Sequence, residues 1–234
     1  IRGLNNLNNL YCSNTSISTL EPLKDLSNLN KLYCYNTRIT SLEPIVGLED
    51  LQLLHCSNTQ ISTLEPIKNL KNLQMLYCSK TRVNSIDPIA NLINLHTLYC
   101  YATQIADINA VRNLKNMKEL YCSNTQITSL EPIKELTNLI KLYCNSTQIS
   151  SLAPLEKLTN LTLLHCASTQ VNDLSPLANI NTLKELDITG TPVNALDPLD
   201  RLQNLTLLKA VGTNVNKNQA DAFKAGHKNI NIEM

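Results

Sequence analysis

The sequence predicts an α/β solenoid, a right-handed coil in which each turn adds one short strand to a parallel sheet and returns through a short helical turn. Three observations predict it. Cys12, Cys34, Cys56, Cys78, Cys100, Cys122, Cys144 and Cys166 follow one another at a single constant spacing without a slip. Thr15, Thr37, Thr59, Thr81, Thr103, Thr125, Thr147, Thr169, Thr191 and Thr213 keep the same period over a longer stretch. Aliphatic residues recur between them, so that Leu29 to Leu48 reads L-x-x-L-x-C-x-x-T-x-I-x-x-L-x-P-I-x-x-L.

A fixed period of roughly 20–29 residues with leucine at set phases is the signature of a leucine-rich repeat. Each phase has a physical task. In Lys31-Leu32-Tyr33-Cys34-Tyr35 the period of two turns Leu32 and Cys34 inward and Lys31, Tyr33 and Tyr35 outward, which makes a short strand. Stacked repeats then form a concave parallel sheet of about ten to eleven strands, neighbours lying roughly 4.8 Å apart. The chain turns at Thr37, buries Ile39 and Leu42 and meets Pro44, whose missing N–H suits the first position of a convex helical or 3-10 turn. The residue at the phase before proline, as in Glu21, Asp87, Ser175 and, ahead of Ala110, Asn109, is placed beside that turn's N-terminus. Ile45, Leu48 and Leu51 return on the convex side. No repeat can bury these residues alone, so stability comes from the stack.

Residues 1–215 comprise about ten repeats, the first truncated, and residues 216–234 a helix–strand cap. Ile1 falls at the phase of Ile45, which places the entry in mid-repeat and implies that something natively preceded it. Asn216 to Gly226 reads as a helix with a polar start and a glycine stop, with Phe223 covering the last turn. Ile230 and Ile232 are expected at the inward phases of Leu208 and Ala210, each one full period on.

A net charge of +1, from 20 Lys and Arg against 19 Asp and Glu, argues against nucleic acid as a partner. No apolar run approaches the roughly 20 residues that span a bilayer, so membrane insertion is not expected. The chain does not begin with Met, and its first residues therefore say nothing about secretion. With five Gly and nine Pro, no low-complexity linker divides it, and one domain is expected.

The eight cysteines lie at one inward phase. Strand spacing of about 4.8 Å holds their Cβ atoms further apart than the roughly 3.8 Å a disulfide prefers, so an inert column of buried thiols is predicted. The threonine hydroxyls are expected to bridge adjacent turns. Asn72, Asn94, Asn116, Asn138 and Asn160, and Asn14, Asn36, Asn58 and Asn124 before threonine, are read as turn residues. His55 and His165 precede Cys56 and Cys166 but point to the opposite face, and no C-x-x-C, H-E-x-x-H or glycine-rich phosphate loop is present. No catalytic residue, cofactor or metal site is assigned, and the chain is not read as an enzyme.

The informative feature is the outward row Tyr11, Tyr33, His55, Tyr77, Tyr99, Tyr121, Tyr143 and His165, extended by Asp187 and Lys209. Tyr35 and Tyr101 share its face, so every tyrosine lies on the predicted sheet surface. Tyrosine favours strands and stacks on cross-strand neighbours, and exposed tyrosine is also a rigid, amphipathic anchor at recognition surfaces. Tyr33, Tyr35, His55, Tyr77, Tyr99, Tyr101, Tyr121, Tyr143 and His165 are the candidate partner-binding residues, centred on the run from Tyr77 to Tyr143. Their flanks, Leu53, Met75, Thr97, Glu119, Lys141 and Leu163, vary as a tuned surface would.

The unit L-x-x-L-x-x-L-x-C-x-x-T-x-I-x-x-L-x-P-L resembles the 22-residue bacterial repeat of internalins. Cys12 through Cys166 are similar to the cysteine-ladder variety, whereas threonine at Thr15 through Thr213 replaces the family's asparagine. The C-terminal helix and strand also depart from listerial internalins, which continue into an immunoglobulin-like region. The resemblance implies a secreted or bacterial-surface protein, an adhesin or virulence factor, that binds a host receptor or another protein through its concave face. Two alternatives stand beside it: a glycan-binding module, and a targeting or scaffold domain of a larger cytoplasmic or effector protein.

Overall fold

A computed structural model describes residues 3–227 and 229–234; the expectation for Ile1 lies outside the described residues. Two compact units divide in sequence between Met117 and Lys118. In the first, strands β1 (Asn9–Tyr11), β2 (Lys31–Tyr33), β3 (Leu53–His55), β4 (Met75–Tyr77) and β5 (Thr97–Tyr99) pair in parallel in chain order. The second holds β6 (Glu119–Tyr121), β7 (Lys141–Tyr143), β8 (Leu163–His165), β9 (Glu185–Asp187) and β10 (Leu207–Lys209), then helix α1 (Lys217–Gly226) and strand β11 (Asn231–Glu233). These strands also run parallel in chain order, and from β6 to β10 each residue pairs with its counterpart one repeat on.

Each turn of the coil closes on itself. The residue two after the cysteine phase has positive φ in every repeat from Asn14 (58°) to Ser168 (55°), then at Gly190 and Gly212. That left-handed step reverses the chain, and asparagine and glycine tolerate it best. It accounts for Asn14, Asn36, Asn58 and Asn124. Asn36 and Asn58 each donate their amide to the preceding asparagine's Oδ1 at 2.7 Å, joining three turns of the first unit.

The threonine column works differently from the expectation. Every hydroxyl from Thr15 to Thr213 donates to the carbonyl three residues back in its own turn, at 2.6–2.8 Å. A hydroxyl one carbon from the backbone reaches its own turn before the next one, so it locks the corner and does not bridge repeats. Bridging falls to the convex asparagines. Asn72, Asn94, Asn116 and Asn160 donate to carbonyls 23 residues back, at 2.8–3.0 Å, which makes them staples between repeats.

Single turns of 3-10 helix, such as Glu21–Leu23 and Glu131–Ile133, carry the chain back. Proline occupies the first or second position except in the longer Asn109–Asn113 turn, where Ala110 stands instead. The acidic residue before proline makes no capping bond. Its own N–H is taken by Thr19, Ser41, Thr63, Ser85 or Ser129 two residues earlier, at 3.0–3.1 Å. Leu29, Leu32, Cys34, Ile39, Leu42, Ile45 and Leu48 are fully buried, and their counterparts in later repeats match them. Burial of one such aliphatic side chain contributes about 1.5–3 kcal/mol.

The cap forms as expected, with one correction of register. Asn216 and Gln219 build a reciprocal capping box at the start of α1. Strand β11 pairs with β10 as Leu208↔Ile232, a step longer than one full period, so Ile230 and Ile232 do not take the expected phases. A full helical segment replaces the usual return and needs two more residues. The even shift preserves the face, and Ile230 stays buried.

Candidate recognition surface

The side chains opposite the core form two stretches, one in each unit. In the first, Tyr11 and Tyr33 stack with ring centroids 4.5 Å apart and planes 9° from parallel. His55 lies 4.4 Å from the Tyr35 ring and 4.9 Å from Tyr77, and Tyr77 lies 4.7 Å from Tyr99. The parallel register sets this pitch, because each ring sits above its partner on the next strand. Tyr101 meets the ammonium of Lys80, 5.9 Å above its ring. Tyr11, Ser13, Asn14, Tyr33, Tyr35 and His55 line an open depression of about 470 Å³. Lys31 is the only formally charged side chain that strands β1 to β5 carry.

The second stretch pairs aromatic rings with charges. Tyr121 and Tyr143 stack at 4.2 Å and 13°, and Tyr143 meets His165 edge-on at 4.6 Å. Glu119 binds Lys141 at 2.9 Å, and His165 Nε2 binds Glu185 Oε1 at 2.7 Å. Beyond them Asp187 accepts the Thr189 N–H at 3.0 Å, and Lys209 lies 3.8 Å from Glu233. Sequence reasoning missed these pairs, although Glu119 and Lys141 stand one full repeat apart and so face each other across neighbouring strands. Glu185 stands 20 residues after His165, a diagonal neighbour.

Burial and stacking shape the acid–base behaviour of both stretches. Desolvation, then the neighbouring Tyr11, raises the Tyr33 phenol. Desolvation, then Tyr121, pushes Tyr143 up to about 12. Packing among tyrosine rings lowers His55 from the ordinary imidazole range, which leaves it neutral at pH 7. The Glu119 hydrogen bond raises Lys141. The face is thus mainly aromatic, with few charges, in the first unit and laced with ion pairs in the second.

All nine predicted residues, Tyr33, Tyr35, His55, Tyr77, Tyr99, Tyr101, Tyr121, Tyr143 and His165, are half-buried on the outward side of their unit. Two flanking positions differ from the expectation: Leu53 and Thr97 are only 5% and 6% exposed. They are short side chains among taller Tyr, His and Met neighbours, so they fill the floor and do not tune the surface. The hydroxyls of Ser13 and Ser79 are buried without a hydrogen-bond partner on this face. Tyr35 and Tyr101 stand one repeat after them at the same phase.

Under the face run the thiols, all unpaired. The S–H groups of Cys12, Cys56, Cys78, Cys122 and Cys144 donate to the carbonyl of the aromatic residue on the next strand, as in Cys56 to Tyr77 at 3.4 Å and Cys144 to His165 at 3.3 Å. The same carbonyl accepts the cysteine N–H at 2.8 Å. Burial raises every thiol resolved, with Cys100 and Cys166 up to about 12. Only Cys12, half-buried in the first repeat, departs from the uniform column. Among the described residues no group of three His, Cys, Asp or Glu could hold a metal ion, and no helix is long and apolar enough to cross a membrane.

Comparison with known proteins agrees with this geometry. The family model for leucine-rich repeats in two copies matches seven overlapping stretches from residues 5–47 to 137–179. No match emerges among curated protein sequences. Among solved structures, internalin InlF of Listeria monocytogenes is similar over 98% of this chain and 74% of its own, at 25% identity and a TM-score of 0.89. Internalin C2 of the same organism is 31% identical over 78% of this chain and 80% of its own, with a TM-score of 0.73. The functional domain of listerial InlJ, which includes a cysteine ladder, is 24% identical over 90% of this chain and 50% of its own, with a TM-score of 0.73. The chain belongs to the leucine-rich-repeat family, in its internalin-like form with a cysteine ladder.

Proposed function

We propose that the chain is a non-catalytic recognition module that binds a protein partner on the aromatic face of its sheet, as a secreted or bacterial-surface adhesin does. One observation carries the choice of partner: the rings face each other. With Tyr11–Tyr33 and Tyr121–Tyr143 stacked 4.5 and 4.2 Å apart, the faces between the paired rings are closed to a sugar. The nine predicted side chains are half-buried, so part of each stays open to contact instead. Such groups suit the mixed polar and apolar surface of a protein, where a few aromatic anchors carry most of the binding energy. The likeness to internalins supports the compartment.

The test sets immobilised receptor ectodomains against a glycan array, followed by substitutions in each unit. Tyr99→Ala and Tyr121→Ala should each weaken protein binding about tenfold, a loss of about 1.4 kcal/mol, with little change in thermal stability. Lys71→Ala and Lys115→Ala on the opposite side should leave binding unchanged. Binding confined to glycans, or lost with the lysine pair and kept with the tyrosine pair, overturns the reading.

A further inference from the structure

The C-terminal cap encloses a second feature, away from the aromatic row. Between the Asp197–Leu199 turn and α1 lies a cleft of about 420 Å³, a size typical of small-ligand sites, which run from about 300 Å³ upward. Leu196, Ala222 and Phe223 supply apolar wall, and Asp197, Asp200 and His227 line it with polar groups, the two aspartates exposed. The one other polar side chain there, Gln219, is held in place by two bonds: Oε1 accepts from Asn216 N–H and Nε2 donates to the Asn194 carbonyl.

His227 is the anomaly. It is 4% exposed, and its Nε2 is buried without a hydrogen-bond partner. Its Nδ1 lies 2.9 Å from the Phe223 carbonyl, which can only accept, so Nδ1 carries the hydrogen. With the hydrogen on Nδ1, the second ring nitrogen, Nε2, is the one left to accept. Leaving a buried acceptor unmet costs about 1–3 kcal/mol, recovered by any donor that reaches it. At the end of α1, Gly226 leaves open space: a Cβ there would meet nothing within 4 Å.

The carboxylates of Asp197 and Asp200 and the orphaned nitrogen of His227 are acceptors, and neither Asp197 nor Asp200 pairs with a cation among the described residues. The ligand complementary to these three groups is cationic, rich in donors and has an apolar stem. The three acceptors do not form a group able to hold a metal ion, so a compact cation cannot meet them together. A guanidinium spreads five N–H donors over a rigid plane and can lie against an aromatic ring. We infer that this cleft binds an arginine side chain of a partner peptide, with Asp197 and Asp200 receiving the fork and His227 Nε2 an inner N–H.

Titration of the whole chain with Nα-acetyl-arginine N-methylamide, read by the His227 ring nitrogens in NMR and by calorimetry, tests this. The Nε2 resonance should move toward a hydrogen-bonded position while Nδ1 stays. The lysine and norleucine analogues should bind at least tenfold more weakly. Asp197→Asn with Asp200→Asn, both at exposed positions, should weaken arginine binding at least tenfold with unchanged thermal stability. His227→Gln, which keeps an acceptor, should retain more affinity than His227→Phe. An Nε2 resonance that does not move, equal binding of the norleucine or lysine analogue, or indifference to the aspartate changes overturns the assignment.

Discussion

At Thr125 a single hydroxyl closes the turn, donating to the Cys122 carbonyl at 2.6 Å from a side chain 7% exposed. Thr125→Val preserves shape and removes the donor, leaving that carbonyl without its bond. Stability should fall by about 1–3 kcal/mol, measured as a shift in urea midpoint with an unchanged slope. A change within error would mean that the column supplies shape alone. The period of these threonines was plain in the sequence, but the bond's direction was not. Whether a short hydroxyl reaches its own turn or the next depends on the left-handed step at Asn124, φ 54°, which residue type alone does not fix. Lys80 and Ala102 hold the same conformation without asparagine's tolerance, a local strain of about 1–2 kcal/mol each.

Single helical turns depend on an acceptor two residues ahead of proline's partner, as Ser129 accepts the Glu131 N–H at 3.1 Å. The repeat that enters the Asp197–Leu199 turn lacks it, since Ala195 stands at the phase of Ser129. Ala195→Ser should therefore add one bond and stabilise the chain by about 0.5–1.5 kcal/mol, read as a raised melting temperature; a lowered one would mean that the serine disturbs the half-buried wall. Strands and turns were legible because each repeats a phase many times. The strand after α1 was harder to place: it occurs once, so no period fixes its register, and the longer step emerges only from the length of the helix. The candidate face was legible as a row of tyrosines. The ion pairs Glu119–Lys141 and His165–Glu185 were not, because they depend on which outward neighbours meet across strands.

Across the whole molecule the thiol column couples stability to alkali. Burial raises Cys34, Cys56, Cys78, Cys100, Cys144 and Cys166 above the ordinary thiol value of 9.0. In the unfolded chain these groups ionise near their ordinary value, while in the fold they keep their protons. The unfolded state therefore binds fewer protons between about pH 9 and 12, and stability falls as pH rises through that window. Each thiol that ionises only on unfolding contributes a slope of up to about 1.4 kcal/mol per pH unit. Tyr143, raised to about 12, acts in the same direction above pH 10. Urea midpoints should be level between pH 7 and 8 and drop steeply above 9. Replacing Cys100 and Cys144 with alanine should shallow the drop, and an unaltered slope would remove the thiols from the account.

The tyrosine rows also have an optical consequence. The protein has no tryptophan and one phenylalanine, and all eight tyrosines lie on the sheet face. Near-ultraviolet circular dichroism, which reports fixed aromatic packing, thus arises almost wholly from the outward side of the strands in each unit. Rings stacked 4.5 Å apart in Tyr11–Tyr33 and 4.2 Å apart in Tyr121–Tyr143 are close enough for their transition dipoles to couple, and the fixed twist between strands gives that coupling a handedness. The chain carries its own chromophore array on the face proposed for partner binding. Contact there should perturb the signal without any label, and occupation of the cleft at the cap should leave it largely unchanged.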